Sequence, residues 1–359
     1  MLIAKLNLSA FRNFKKASFL FSPAITVIVG SNAVGKTNLL EALYLASSGK
    51  SFRAKLEEEM VAYEKDLARV EARVINKNGK VALDAILTRG MIDIGAQRPE
   101  KIARKRMLVN GLPKRLIDFA GNFSVVLFGP WDLDLITEAP TLRRKFLDNV
   151  LSQVDREYRR ASLSYEKGLK QRNRLLLRIR EEGLSRSQLL FWDKLLIKNG
   201  DYLSSKREEF VAFANQTKPL DDQKFRLVYD KSAISEGRLE QYAEEEVSAA
   251  TTLVGPHRDD LIFKIDNSKY KVERNLNVYG SRGEQRMGIL WLKLAELSFI
   301  ESVLGERPTL LLDDIFSELD HKHRDIVMKV AKHQQTIITT ADPHFLMGFK
   351  KVEKIKLAA

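Results

Sequence analysis

The sequence predicts an α/β fold: a mixed sheet carrying a glycine-rich loop, with a helical lobe inserted between its first and last strands. Three observations predict it. Ile25-Thr26-Val27-Ile28-Val29 is a continuous β-prone run that leads into Gly30-Ser31-Asn32-Ala33-Val34-Gly35-Lys36-Thr37 and then an apolar helical stretch from Asn38 to Leu45. Far downstream, Leu310-Leu311-Leu312-Asp313-Asp314 is a second apolar run, tipped by two carboxylates. Uninterrupted apolar runs of this length suit strands covered on both faces. Between them, apolar residues recur at helical spacing from Thr141 to about Ala214.

Composition narrows the class. A chain of 359 residues with 44% apolar content makes one large domain or two moderate ones. Cysteine is absent, so there are no disulfides and no thiolate metal sites, which suits a cytoplasmic location. Met1–Leu8 alternates and lacks the apolar core of a signal peptide, and no run nears the ~20 apolar residues of a membrane span. No membrane partner is expected. Net charge is +13, from 60 basic against 47 acidic residues, which favours a polyanionic partner such as nucleic acid. The excess is local: 12 Lys/Arg against 4 Asp/Glu between Thr141 and Arg180, and six Lys/Arg with no acid from Lys101 to Arg115. On charge alone these are either DNA contacts or solvated faces.

The elements follow in order. Leu2–Leu8 alternates as a half-buried strand. Residues 68–110 read as hairpins, with turn signals at Asn78-Gly79 and Asn110-Gly111. From Thr141, the series Leu147, Leu151, Val154, Tyr158, Ala161 and Tyr165 steps by three and four. After a break near Glu182-Gly183-Leu184, Leu189, Trp192, Leu196, Leu203 and Phe210 repeat the pattern. Two such stripes predict a short antiparallel coiled-coil-like arm. An acidic patch, Glu244-Glu245-Glu246, precedes a strand over 261–265, a helix over 286–303, and strands over 309–312 and 337–340. The expected division is 1–120 and 249–359 in one head and 121–248 in a helical lobe.

The glycine-rich loop matches G-x-x-x-x-G-K-[ST] in full, in the strand–loop–helix setting a phosphate loop requires. Its glycines let backbone N–H groups turn toward phosphate oxygens. The expected ATP contacts are Gly30, Ser31, Asn32, Ala33, Val34, Gly35, Lys36, Thr37 and Asn38, with Lys36 on the β- and γ-phosphates. The expected magnesium ligands are Thr37 and Asp313. Asp314 would orient or deprotonate the attacking water; the order of the two aspartates' roles is open. A third element, Ser281-Arg282-Gly283-Glu284-Gln285, opens a helix. There a hydroxyl, backbone N–H groups and the helix dipole can hold an anion, although a serine in this position is by itself an ordinary N-cap.

These motifs, with Ser317, Leu319 and Asp320 after the aspartate-tipped strand, resemble the head of an ABC-type ATPase. The resemblance implies that Ser281, Arg282, Gly283, Glu284 and Gln285 form a signature motif acting in trans on the γ-phosphate held by a second subunit. Ser317 to Asp320 match the D-loop of that interface, and His344 is the candidate for the C-terminal histidine switch. Lys36 and Ser281 are 245 residues apart, much farther than in transporter heads. A large insertion is the habit of the DNA-maintenance, SMC-like branch. Within it the chain is similar to the RecF-type family through Leu8–Phe14, Gly35–Ala42, Phe128–Leu133 with Arg143–Asp148, and Leu253-Val254-Gly255-Pro256-His257-Arg258-Asp259-Asp260. Trp131 departs from the family, which commonly has an acidic residue there.

The resemblance implies an ATP-driven homodimer that binds single-stranded and linear double-stranded DNA and their junctions. It also implies weak DNA-stimulated ATPase activity, and cooperation with other recombination mediator proteins in loading recombinase at gaps. Candidate DNA contacts are Arg104, Lys105 and Arg106 on the basic hairpin and Arg156, Arg159 and Arg160 on the arm. His257 and Arg258 either touch nucleotide or support the lobe. Two other classes remain open on sequence: a protein-interaction switch whose basic arm grips an acidic partner, and an ATPase head coupled to nuclease chemistry.

Overall fold

Leu2–Phe11 pairs with Phe14–Leu20 on one side and Leu67–Asn76 on the other, and it buries Ile3, Leu6, Leu8 and Phe11. Strict alternation would place Ile3 and Leu6 on opposite faces. A register shift between Ile3 and Lys5 turns both inward, as a bulge does. The full antiparallel sheet runs Phe14–Leu20, Leu2–Phe11, Leu67–Asn76, Gly79–Thr88, Lys105–Val109, Leu112–Lys114. Its last hairpin turns on Asn110-Gly111, both at positive φ (51° and 78°), the geometry a two-residue hairpin loop selects. The expected Asn78-Gly79 turn sits one residue earlier. Asn76 pairs with Gly79, so Lys77-Asn78 is the loop and Gly79 (φ 106°) starts the returning strand.

These coordinates form a computed structural model that describes all residues except 93–99, 221–222, 268–271, 318, 343, 345–351 and 358–359. By internal packing the chain divides into two units, Met1–Trp131 with Ile300–Ala359, and Asp132–Phe299. Among the described residues no helix is long and apolar enough to cross a membrane.

The first unit also holds a parallel sheet in the order Val125–Phe128, Thr309–Asp313, Thr336–Thr340, Ile25–Val29, Glu353–Lys356. Thr309–Asp313 and Thr336–Thr340 are buried throughout, as their unbroken apolar sequences require. The helix Lys36–Ser48 buries Leu39, Leu40, Leu43 and Leu45 in a core shared with both sheets. Gln335 joins the N-terminal strand to the parallel sheet. Its Nε2 donates to the carbonyls of Ile3 (2.7 Å) and Ser22 (2.8 Å), and its Oε1 accepts from Ile3 N (2.7 Å) and the Thr309 hydroxyl (3.1 Å). This buried amide therefore leaves no polar atom unsatisfied.

The second unit is helical with a small sheet. The expected continuous stripe from Thr141 is two helices, Pro140–Val154 and Arg156–Glu182, because Asp155 leaves helical geometry and caps the second through Glu157 N (2.8 Å) and Tyr158 N (3.1 Å). Gly183 (φ 69°) ends that helix, and Leu190–Ala214 returns beside it. The helices approach closely at Gly168, where a Cβ would lie 2.5 Å from Leu195 Cδ2. Residues 249–299, expected in the head, pack instead within this unit. Asp260–Asn267 pairs along its whole length with Lys224–Asp230, and that ladder fixes the boundary. Conversely, Val125–Phe128, expected in the helical lobe, pairs with Thr309–Asp313 in the first unit.

Candidate nucleotide-binding site

In parallel sheets, ligands sit beyond the carboxyl ends of the strands. Here those ends are Val29, which leads into the glycine-rich loop, and Asp313. The helix after the loop starts at Lys36 with no side-chain cap and no acidic residue in its first turn. Its first N–H groups and positive dipole end are thus left to an anion. Gly35, at φ 106°, is a position only glycine adopts cheaply, and a Cβ there would strike the Asn13 amide at 2.6 Å. At Gly30 a Cβ would lie 2.7 Å from Val34 Cγ1. Lys36 is buried, and its Nζ donates to the carbonyls of Gly30 (2.8 Å) and Ser31 (2.9 Å), so the ammonium is held across the loop.

Thr37 and Asp313 meet although they lie 276 positions apart: Thr37 Oγ1 donates to Asp313 Oδ2 at 2.8 Å. Thr339, on the intervening strand, donates its hydroxyl to Asp313 Oδ1. A hydroxyl beside a carboxylate is the hard oxygen donor set that magnesium takes. Asp314 sits in the left-handed region (φ 51°), with its backbone N donating to Thr339 O at 3.2 Å. Burial raises its carboxyl pKa above the ordinary value and neighbouring Asp313 adds to the rise, while Lys36 opposes it. A raised carboxyl suits a group that accepts a proton.

These residues line one cavity of about 380 Å³, walled by Asn32, Ala33, Gly35, Asn38, Pro130 and Trp131 in addition to Lys36, Thr37 and the two aspartates. Trp131, the departure from the family pattern, stacks on Phe52 (centroids 5.0 Å apart, planes 20°), and Phe52 meets Tyr44 edge-on.

A brace behind the loop went unread in the sequence. Asn13 Nδ2 donates to Val34 O (3.0 Å), and Asn13 Oδ1 accepts from Asn38 Nδ2 (2.7 Å). Next to it, Arg12 forks onto Glu41 of the loop helix (2.8 and 2.7 Å), which also takes Arg53 (3.0 Å) and Ser51 (2.6 Å). Burial pushes the Glu41 carboxyl up, but the bonds from Arg12, Ser51 and Arg53 outweigh it and hold the pKa below the ordinary value. Asn13 and Arg12 lie in the Leu8–Phe14 stretch on which the family resemblance rests, and that was the available signal.

In the second unit, Ser281, Arg282 and Gly283 are exposed at the head of the helix Arg282–Leu304. Ser281 Oγ accepts from Glu284 N (3.2 Å), and Glu284 Oε2 accepts from Ser281 N (2.7 Å), which is a capping box. A hydroxyl that accepts one bond still carries its own proton to donate. Gln285 is buried and donates to Leu276 O (3.2 Å). In the first unit Ser317 Oγ donates to Asp314 O (2.7 Å), Leu319 is buried, and Asp320 caps the helix His321–Ala331 through His323 N (3.0 Å). Glu318, between them, lies outside the described residues. His344 is exposed, with its backbone N on Asp342 (2.8 Å).

The Gly255–Asp260 stretch supports the second unit. His257 is enclosed between the Tyr165 hydroxyl (2.9 Å) and Thr252 O (3.0 Å), and burial lowers its pKa to about 4. Asp259 is fully buried and accepts from Arg207 (2.8 Å), which also holds Asp148 (2.8 Å); Arg143 forks onto Asp260. Glu246 of the acidic patch is likewise buried, paired with Arg172 at 2.7 Å.

The candidate DNA residues differ in their commitments. Lys105 is held by Glu57 (2.6 Å) and Gly49 O (3.2 Å), Arg104 lies 3.9 Å from Glu58, and Arg106 is exposed. On the arm, Arg156 is exposed, Arg159 donates to Ser152 O, and Arg160 pairs with Glu157 (2.8 Å).

Comparison with known proteins agrees with this geometry. Residues 2–358 match the family model described as the RecF/RecN/SMC N terminal domain. The chain is 36% identical over 377 residues to the DNA replication and repair protein RecF of Herpetosiphon aurantiacus, covering 96% of each. It is 34% identical to the RecF of Halalkalibacterium halodurans, covering 95% of this chain and 93% of that one. A solved structure of the recombination mediator protein RecF with ATPrS in the RecFOR pathway superposes with a TM-score of 0.85 at 29% identity, over 99% of this chain and 96% of that one. An Smc head domain from Pyrococcus furiosus shares the fold, with a TM-score of 0.53 at 16% identity over 99% and 94%. The fold is thus that of an ABC-type ATPase head with an inserted helical lobe, and the chain belongs to the RecF/RecN/SMC N-terminal domain family, among the RecF proteins.

Proposed function

We propose that the chain is an ATP-driven DNA clamp of recombinational repair and replication-fork maintenance. The loop from Gly30 to Asn38 binds the triphosphate, with Lys36 on the β- and γ-phosphates. Thr37 and Asp313 hold magnesium, which when bound would bridge the phosphates and spread their charge. Asp314 orients and deprotonates the attacking water. Ser281 of a second copy donates its hydroxyl to the γ-phosphate, so two subunits close over two nucleotides, and hydrolysis reopens them.

The observation that carries the reading is the Thr37–Asp313 bond, 2.8 Å across 276 positions, inside a cavity that also holds Lys36 and the raised Asp314. Similarity to RecF solved with ATPrS supports the same nucleotide class. The closed pair binds DNA where single and double strands meet, reading backbone and shape through its basic surfaces, and helps other mediator proteins load recombinase at gaps.

The test is equilibrium binding of a fluorescent, non-hydrolysable ATP analogue with magnesium. Lys36→Met should weaken binding by about two orders of magnitude, as losing a charge-assisted phosphate contact of a few kcal/mol implies. Equal affinity in wild type and variant would put the nucleotide elsewhere.

A further inference from the structure

Three charged side chains of the second unit sit together out of water. Lys293 Nζ lies 3.1 Å from Asp132 Oδ1 and 3.2 Å from Glu296 Oε2, with side-chain exposures of 7%, 9% and 6% for Lys293, Asp132 and Glu296. The ammonium also stands 5.1 Å from the Phe146 ring centre. Desolvating such ions offsets most of their mutual attraction, so the cluster is a poor source of net stability. Its placement gives it another use. Lys293 and Glu296 are one turn apart on the helix Arg282–Leu304, which begins at the exposed serine motif. Asp132 directly follows Trp131, a wall of the nucleotide cavity. From Ser281 to Lys293 is about 18 Å of helix at 1.5 Å per residue, a length that moves as a rod.

We propose that Asp132 and Lys293 are positioning residues that carry nucleotide occupancy from the Trp131 wall to the serine-bearing end of the helix. The ion pair fixes the residue after Trp131 to the middle of that helix. A shift of the wall is therefore passed to the helix instead of being absorbed by the chain between them. The inference rests on the proposed nucleotide site.

The cluster also indicates which variant will fold. Two carboxylates share one ammonium, and burial raises the Glu296 pKa to about 7, with Asp132 adding to the rise and Lys293 opposing it. When Asp132 loses its charge, Glu296 ionises more easily and remains a partner for Lys293. Asp132→Asn thus keeps the site filled and its buried ammonium paired while cutting the link to Trp131.

The experiment is hydrogen–deuterium exchange of the full chain with and without a non-hydrolysable ATP analogue plus magnesium, with Trp131 emission recorded in parallel. Measurement is made at protein concentrations where light scattering shows only monomer. In wild type the analogue should change Trp131 emission and change exchange across residues 276–286 at least threefold. In Asp132→Asn and in Lys293→Met the emission change and the affinity should persist, within about threefold of wild type, while the exchange response falls to less than half. Retention of the full exchange response in both variants would overturn the proposal. So would a response already absent from wild type that nevertheless binds. If wild type shows no binding at all, the nucleotide-site reading fails, and this inference with it.

Discussion

Replacing Glu41 by Gln tests how far the loop depends on its brace. Glu41 is fully buried and accepts two bonds from Arg12, one from Arg53 and one from Ser51. Gln keeps the volume but removes the charge and points an NH₂ donor among guanidinium donors. Breaking a fully buried pair from one side costs about 3–5 kcal/mol. Arg12 and Arg53 retain 19% and 38% side-chain exposure, so water recovers part of that loss. We expect about 2–3 kcal/mol, or roughly 4–10 °C in the melting of the first unit.

The loss has a pH signature. The folded Glu41 pKa lies below its ordinary 4.5. A depressed carboxyl contributes stability that is complete above the unfolded value and fades as pH falls through the folded one. The melting gap between wild type and Glu41→Gln should therefore be constant from about pH 6 to 8 and close below about 4.5. Arg12 adjoins Asn13, which holds both Val34 and Asn38, so affinity for the ATP analogue should also fall, by about tenfold. Calorimetry of the nucleotide-free protein across this pH range is the assay. Equal melting, or a gap that ignores pH, would refute the brace.

Three further outcomes follow from the same geometry. Gly35→Ala forces a Cβ into the Asn13 amide at positive φ, and should cost about 1–3 kcal/mol in thermal stability together with most nucleotide binding. Asp314→Asn should leave analogue binding within about twofold while kcat falls at least about a hundredfold, and the wild-type acid limb, displaced upward by the raised Asp314 carboxyl, should vanish from the pH–rate profile. Charge reversal at Arg156, Arg159 and Arg160 should weaken DNA binding and flatten its salt slope by about one unit per lost phosphate contact, read by anisotropy at several salt concentrations. Unchanged affinity would move the DNA to another surface.

The parts legible in sequence were those with local signals. The loop, its strand and helix, the aspartate-tipped strand and the Asn110-Gly111 turn each depend on residues within a few positions of one another, and each was found close to its predicted place. The helix break at Asp155 was missed because the apolar steps from Val154 to Tyr158 continue across it, and only the cap marks it. The unit boundary was missed because it is set by the pairing of Lys224–Asp230 with Asp260–Asn267, a contact between segments that carry no mutual signal in one sequence. Charges misled for a related reason. Glu246, Arg172, Lys293 and Glu296 look like surface residues until the fold brings each its partner. Likewise nothing in the spacing of Arg12, Glu41 and Arg53 announces that one carboxylate holds both arginines.

The central claim is that nucleotide held at Lys36 and Asp313 joins two copies through Ser281. Light scattering of the purified chain with no nucleotide, with ADP, and with a non-hydrolysable ATP analogue plus magnesium tests it most directly. The account predicts a monomer in the first two conditions and a dimer in the third, with Ser281→Arg still binding the analogue but staying monomeric. A mass that does not respond to the analogue well above micromolar concentration, or a Ser281→Arg variant that dimerises normally, would contradict it.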